Sequence, residues 1–434
     1  MMLRRLRSIL MTCCVLATPF AIGSARANDI EELAPFKMIR SLQYVQDSVV
    51  LGDHSAIEMQ RFMLGAIDKR LRAADASVFS DPRNVDAALV YAMSGGNPET
   101  LKYLSDHDVA GNFDSRVTEA LRHYLNGKGG LIVENLSKAA PEYRNARIGP
   151  YLYLILGNAT SQQDPVAAMK YYDWARLTAP GTIIEEAALR RSVFLAVQAD
   201  APDKGFHYAL TYARRYLTSP YASQFADVFV ELAVAHFDGE AQGRISEILD
   251  FMDAPRQREV YLRVARRAAI AGKQVLAKQA SERAEALGAD GAMQPKVLAG
   301  FYAGLASVPS SDVFAATASI AAIPDAELSP RDRALRDAAR AVADAVVRPP
   351  NDESLTQAFA SKPDRPVEAD GSQTGEETGS GLSPFGNTPI PVAAAEGAAE
   401  IDAGAAGDPE HDGFVAKGRS KIEEIDALLK GEGK

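Results

Sequence analysis

Between Tyr151 and Tyr221 the chain marks where helices must begin and end, and those marks narrow the fold more than any other feature. Asp164-Pro165 opens one helix. A short acidic side chain at the N-cap accepts an orphan N–H, and proline suits the first helical position, where its missing N–H is no loss. That helix runs through Tyr171, Tyr172 and Trp174 to Ala179-Pro180-Gly181. Thr182 starts the next, and Glu185, three residues on, completes the pattern of a capping box. Helix, tight turn, helix is the unit, and amphipathic units of this kind stack into α-solenoids.

The spacing supports a repeat. Ala168, Tyr172, Ala175 and Pro180 stand 4, 3 and 5 residues apart, the gaps of second-helix positions in the tetratricopeptide pattern. Leu156-Gly157 lies upstream, one residue too near for that pattern's Leu-Gly pair. Tyr212 and Pro220 repeat the interval of Tyr172 and Pro180, and Ala277, Ser281 and Ala284 form a degenerate third copy. Small residues are wanted where helices cross closely, and aromatics where a gap must be filled. The competing account is an ordinary helical domain in which Ala and Tyr recur by chance.

Other segments repeat the theme. Leu33, Met38, Leu42 and Val45, then Met59, Met63, Ile67 and Leu71, predict two helices broken at Gly52-Asp53-His54. Asp81-Pro82 and Asn97-Pro98 open two more. Val117, Leu121 and Tyr124, then Leu131, Val133 and Leu136, predict a further hairpin. Helices follow over Phe225–Val234, Ile245–Met252, Val260–Ala268 and the stretch holding Val275, Leu276, Ala280 and Ala284. Ala-rich residues 292–323 are anchored by Val297, Phe301, Val313 and Ile320. Ser329-Pro330 starts a last helix facing inward through Leu335, Ala339, Val342 and Val346. No alternation of period 2 appears, so the expected class is all-α: a superhelical stack of helical hairpins, a degenerate tetratricopeptide-like α-solenoid over 28–348.

The two ends are different material. Arg4, Arg5 and Arg7 precede an apolar run from Ser8 to Ile22 and a small-x-small site at Ala25-Arg26-Ala27. This is the pattern of a secretory signal peptide, 1–27, cut between Ala27 and Asn28. Both cysteines, Cys13 and Cys14, lie inside it, so the mature chain is expected to hold neither a disulfide nor a thiolate metal site. The leader carries four arginines and no acid, so its removal takes the net charge from −10 to −14. That argues against nucleic acid and against a polybasic membrane patch. No later segment is long and apolar enough to cross a membrane. Residues 349–412 are rich in Pro, Gly, Ala and acids and cannot bury enough apolar surface to offset ordering entropy, so a disordered acidic tail is expected. From 349 to 434 there are 17 acids and 7 bases. Within 413–434, Val415, Ile422, Ile425, Leu428 and Leu429 fit a short amphipathic helix, either a docking element or a transient helix without a partner.

Catalytic hardware is not visible. The six histidines, His54, His107, His123, His207, His236 and His411, form no His-Glu-x-x-His motif, and His54 with Glu58 reads as a surface pair. Gly127-Lys128 lacks the glycine and hydroxyl of a phosphate loop. Glu185-Glu186 suggest either acid/base work on a glycan or carboxylates placed at the positive end of a helix dipole. Neither a cofactor nor a small-molecule substrate is expected. The paired arginines Arg190-Arg191, Arg214-Arg215 and Arg266-Arg267 either line an inner surface that meets a carboxylate-bearing partner or sit on solvated faces in local ion pairs. Trp174 is a contact candidate or a core filler.

Several stretches resemble one family. They are Pro35–Asp47 followed by Gly52–Ala56, Ala88-Leu-Val-Tyr-Ala-Met-Ser-Gly-Gly-Asn-Pro98, Ala179–Arg191, and Arg214-Arg215 through Ser219-Pro-Tyr-Ala222. Together, in this order and behind a signal peptide, they resemble the MotC family over roughly residues 30–235. The resemblance implies a periplasmic accessory protein of the flagellar motor that binds the periplasmic part of the stator protein MotB and is required for rotation. Composition and spacing imply only an exported helical protein. On them alone, a cell-wall glycan-binding or peptidoglycan-processing protein and a generic envelope adaptor stay open.

Overall fold

The computed structural model describes residues 33–237, 241–288, 293–309 and 312–348. The signal peptide with Ala27 and Asn28, the acidic tail 349–412 and the segment 413–434 lie outside the described residues. Those residues form 17 α-helices, four 3-10 turns and no strand.

Local chemistry sets the helix starts. Side chains of Asp81, Asn97, Asp114, Asp164, Asp253 and Ser329 each accept a backbone N–H from the first turn that follows. Each such cap contributes about 1 kcal/mol. The helices they and the intervening turns delimit are α1 (Pro35–Val50), α2 (Ala56–Arg72), α3 (Pro82–Met93), α4 (Pro98–Asp106), α5 (Ser115–Leu125) and α6 (Val133–Ala139). The central hairpins follow as α7 (Gly149–Thr160), α8 (Pro165–Thr178), α9 (Ile183–Gln198) and α10 (Pro202–Ala213). The remainder is α11 (Ala222–Ala235), α12 (Ala241–Leu249), α13 (Ala254–Ile270), α14 (Gln274–Ala286), α15 (Met293–Ser307), α16 (Val313–Ala321) and α17 (Pro330–Val347).

Successive helices pack as a hairpin stack: α7 on α8, α8 on α9, α9 on α10, and α13, α14 and α15 on one another. The repeat positions read from the sequence lie in these seams. Ala168, Tyr172, Ala175, Tyr212, Ala277, Ser281 and Ala284 are buried. Gly157 is where α7 lets α8 approach: a Cβ there would stand 2.4 Å from the Tyr172 ring.

The amphipathic picture fails at the centre. α9 is buried nearly all round, from Ile183 to Ala196, because it touches α8, α10, α11, α7 and α1. A helix with neighbours on every side must be apolar or pair its polar groups internally. The expected inward faces also over-reach at Met59, Leu131, Val275, Val342 and Val346, all of which are exposed.

The contact with α1 closes the first part of the chain on itself. Asp47 of α1 accepts the Ile183 N–H at 2.9 Å, across 136 residues of sequence. It caps α9, where the Thr182 side chain makes no cap bond. Thr218 Oγ1 donates to the Leu51 carbonyl, and His54 Nε2 lies 2.8 Å from the Thr218 carbonyl. Gly52, at φ 111°, lets the turn press on Thr218, 3.0 Å from where a Cβ would stand. His54 is therefore a tie between distant turns, and Glu58 pairs with Arg61 instead.

Candidate partner-binding surface

The acidic pair and the arginine pairs expected near a partner are largely spent on holding the stack together. Glu185 Oε2 accepts the Gly181 N–H at 2.6 Å, the Tyr216 hydroxyl at 2.8 Å and Arg215 Nη1 at 2.9 Å. The carboxylate thus reaches back past Thr182, a shifted form of the capping box. Glu186 accepts Arg190 Nε at 3.0 Å and the Tyr212 hydroxyl at 2.9 Å. Both carboxylates are buried. Neither is open to a glycan, so the acid/base reading of this pair is corrected.

Arg190 is only 5% exposed, with Gln224 Oε1 taking its remaining edge at 2.8 Å and the Tyr221 ring beneath it. Burial opposes its charge, but Glu186 outweighs that and holds the guanidinium above its ordinary pKa. Burial, then the Glu186 charge, pushes the Tyr212 hydroxyl far up, so it stays a donor. As a partner contact Arg190 is corrected: it faces the interior. Arg191 donates to Asn158 Oδ1 at 2.7 Å, which also accepts the Tyr172 hydroxyl. Arg215 has a half-exposed side chain but is committed to Glu185. Arg214 is exposed, near Glu247 at 3.8 Å and over the Phe251 ring. Arg266 binds Asp332, and Arg267 binds Glu231. The pairs are mostly struts between helices, and of the four named for a partner Arg214 is the one most open to solvent.

Trp174 behaves differently. The residue is 37% exposed, its ring stacked on Tyr153 at 5.6 Å and covered by the Arg144 guanidinium at 4.0 Å. Leu177, one turn further along α8, is exposed too. Aromatic and arginine side chains held rigid at a surface are the residue types that dominate protein interfaces.

The loop before α7 carries more than Arg144. Arg147, three residues on, lines a small cleft open to solvent, with Arg40, Arg83, Phe36, Asp86 and Val90 among its walls. Three backbone steps put the Arg144 and Arg147 Cα atoms no more than about 11 Å apart. The loop is fixed by the Tyr143 hydroxyl on Asp114 at 2.7 Å and by buried Ile148. Arg83 lies 4.2 Å over the Phe36 ring and pairs with Asp81. Burial raises the Asp86 carboxyl pKa, and Arg147 pulls the other way. Nothing local in the sequence joins Arg40, Arg83 and Arg147, which come from α1, α3 and a loop.

Among the described residues, no group of three or more His, Cys, Asp or Glu is arranged to hold a metal. No helix there is long and apolar enough to cross a membrane.

A stack of helical hairpins, bearing a fixed aromatic and cationic surface, defines the class as a helical-repeat protein. The sequence comparisons narrow it. The chain belongs to the MotC family: the family model described as "Chemotaxis protein MotC" matches residues 2–434. A curated relative from Rhizobium meliloti (strain 1021), named "Chemotaxis protein MotC", is 71% identical over 437 residues, with 100% of both chains covered. The likeness thus extends well beyond residues 30–235, through both ends of the chain. No solved structure matches it.

Proposed function

We propose that this chain is a non-enzymatic periplasmic protein of the flagellar motor, binding the periplasmic part of the stator protein MotB and required for rotation. The observation that carries the motor role is full-length similarity to a protein named for chemotaxis. The leader pattern of residues 1–27 supports export. The Trp174–Arg144 surface, continued by Arg147 into the cleft, is the docking face in this reading. The glycan alternative has lost its residues, since Glu185 and Glu186 are buried and fully bonded.

Two measurements test it. A deletion strain should build flagella that do not turn; normal swimming would remove the motor role. The chain from Asn28 should bind the isolated MotB periplasmic domain, and Trp174→Ala should weaken binding by about 30-fold or more, the size of a ≥2 kcal/mol hot spot. Arg144→Glu should act in the same direction. A loss confined to Arg214→Ala would move the surface to α10.

A further inference from the structure

The cleft beside Arg147 is cationic in a chain whose net charge is −10. Arg40, Arg83 and Arg147 line it, and Asp86 is the one acid in its walls. Asp81, which is not among those walls, takes Arg83 Nε at 3.0 Å and Nη2 at 2.7 Å and leaves Nη1 as the open edge. Arg40 and Arg147 are exposed, and neither forms an ion pair or hydrogen bond among the described residues. Asp86 acts on Arg147 only through space. Three guanidinium groups thus outnumber two carboxylates even with Asp81 counted. That sets the cleft apart from the struts Arg190, Arg215, Arg266 and Arg267, each matched by an acid of this chain.

The cleft is also held in shape. The Phe36 N–H donates to Asn84 Oδ1 at 3.1 Å, joining the start of α1 to α3. Gln43 Nε2 donates to the Tyr151 hydroxyl at 3.0 Å, joining α1 to α7. Walls fixed by such ties need little ordering when a ligand enters. Phe36, Ile39 and Val90 give the cleft apolar walls as well. The occupant that fits is a singly charged acid with an apolar neighbour. A phosphate group, at about −1.5 to −2, would bring up to twice that charge against Asp86, and an extended nucleic acid is opposed by the acidity of the whole chain. Arginine edges bond a carboxylate through two parallel N–H groups. Arg144, three residues before Arg147, covers Trp174, so an acid in the cleft would sit beside the aromatic anchor of the same face.

We propose that the cleft takes the carboxylate of an aspartate or glutamate side chain of the protein partner, with an apolar neighbour of that residue lying on Phe36. This deepens the docking reading above and rests on it. The probe is the isolated MotB periplasmic domain, bound to the full chain from Asn28 at low and at high salt. Arg40→Gln with Arg147→Gln should weaken binding by about ten-fold or more and flatten its salt dependence, since exposed charge pairs are screened by ions. Both side chains are exposed and tie no helix to another, so the fold survives, and the urea midpoint checks this. Trp174→Ala should weaken binding and leave the salt dependence as it is. Arg147→Glu should be rescued by a partner acid changed to lysine, which a merely structural role would not allow. Unchanged binding in the double variant, or a loss with the same salt dependence, would overturn this proposal and leave the Trp174 face standing. No binding by the unaltered chain would overturn the docking reading and this proposal with it. Displacement by inorganic phosphate but not by acetate, at equal ionic strength, would assign the cleft to a dianion and overturn it too.

Discussion

The two parts of the molecule on either side of α10 are built from the same hairpins and held by different bonds. From α1 to the turn after α10, ties run between residues far apart in sequence: Asp47 to Ile183 across 136 residues and Thr218 to Leu51 across 167. Beyond that turn the spans are shorter: 36 residues for Arg263 to Asp227 and for Arg267 to Glu231, and 66 for Arg266 to Asp332. The first part closes and buries its charges in α9. The second makes no such return, and its enclosed charges, Asp332 and Arg336, lie in its last helix. A hairpin stack therefore has no single stiffness; that depends on whether the first hairpin returns to meet a later one.

The difference can be broken at its strongest point first. Glu186→Ala leaves the Arg190 guanidinium buried and unpaired, and should lower unfolding free energy by about 3–5 kcal/mol, read from denaturant midpoints. A loss below 1 kcal/mol would mean that water reaches α9. Gly157→Ala comes next. Its new Cβ meets the Tyr172 ring at 2.4 Å, so overpacking of roughly 1–3 kcal/mol outweighs the gain in helix propensity. Gly304→Ala, in the second part, meets Ile320 Cγ2 at 2.7 Å. That methyl branches from the Cβ of a fully buried isoleucine whose χ1 is stiff, so overpacking of roughly 1–3 kcal/mol is expected here as well. A neutral result at Gly304 beside a loss at Gly157 would show the second part to be the more yielding.

A third test concerns the closure itself. Burial raises the Asp47 carboxyl to about 6, against the smaller lowering by its bond from the Ile183 N–H. The folded chain then holds this proton more tightly than the unfolded one. The stability contribution is full below about pH 4 and is lost as pH rises through about 6. Asp47→Asn should flatten that slope and leave α1 at least as firmly held at pH 7, measured by urea midpoint against pH. An unchanged slope would assign the titration to other groups. The smallest effect belongs to the surface of the second part. Arg267→Ala removes a half-exposed pair with Glu231 and should cost under about 1 kcal/mol.

Much of this was legible because it is local. Asp81, Asn97, Asp164 and Ser329 announce helix starts within a turn of themselves, and Ala168, Tyr172 and Ala175 announce a close crossing by their spacing. The arginines were not legible. Arg190-Arg191 reads as a solvated pair because nothing nearby says that Tyr221 and Gln224, a helix and more away, will enclose it. Val342 and Val346 read as core because their spacing is right, yet on that last stretch of α17 it is Ala343 that is buried and the valines that meet solvent. Arg40, Arg83 and Arg147 carry no shared pattern at all.

What the amino-acid order determined alone is the all-helical hairpin, since capping, turn formation and the spacing of small and aromatic residues act within a few positions. What only the tertiary structure decided is the return of α1 to α9, and with it which charges are enclosed and which meet solvent. Small rotations at each hairpin add up along the chain, and their sum fixes which distant residues meet, so no single stretch contains that information.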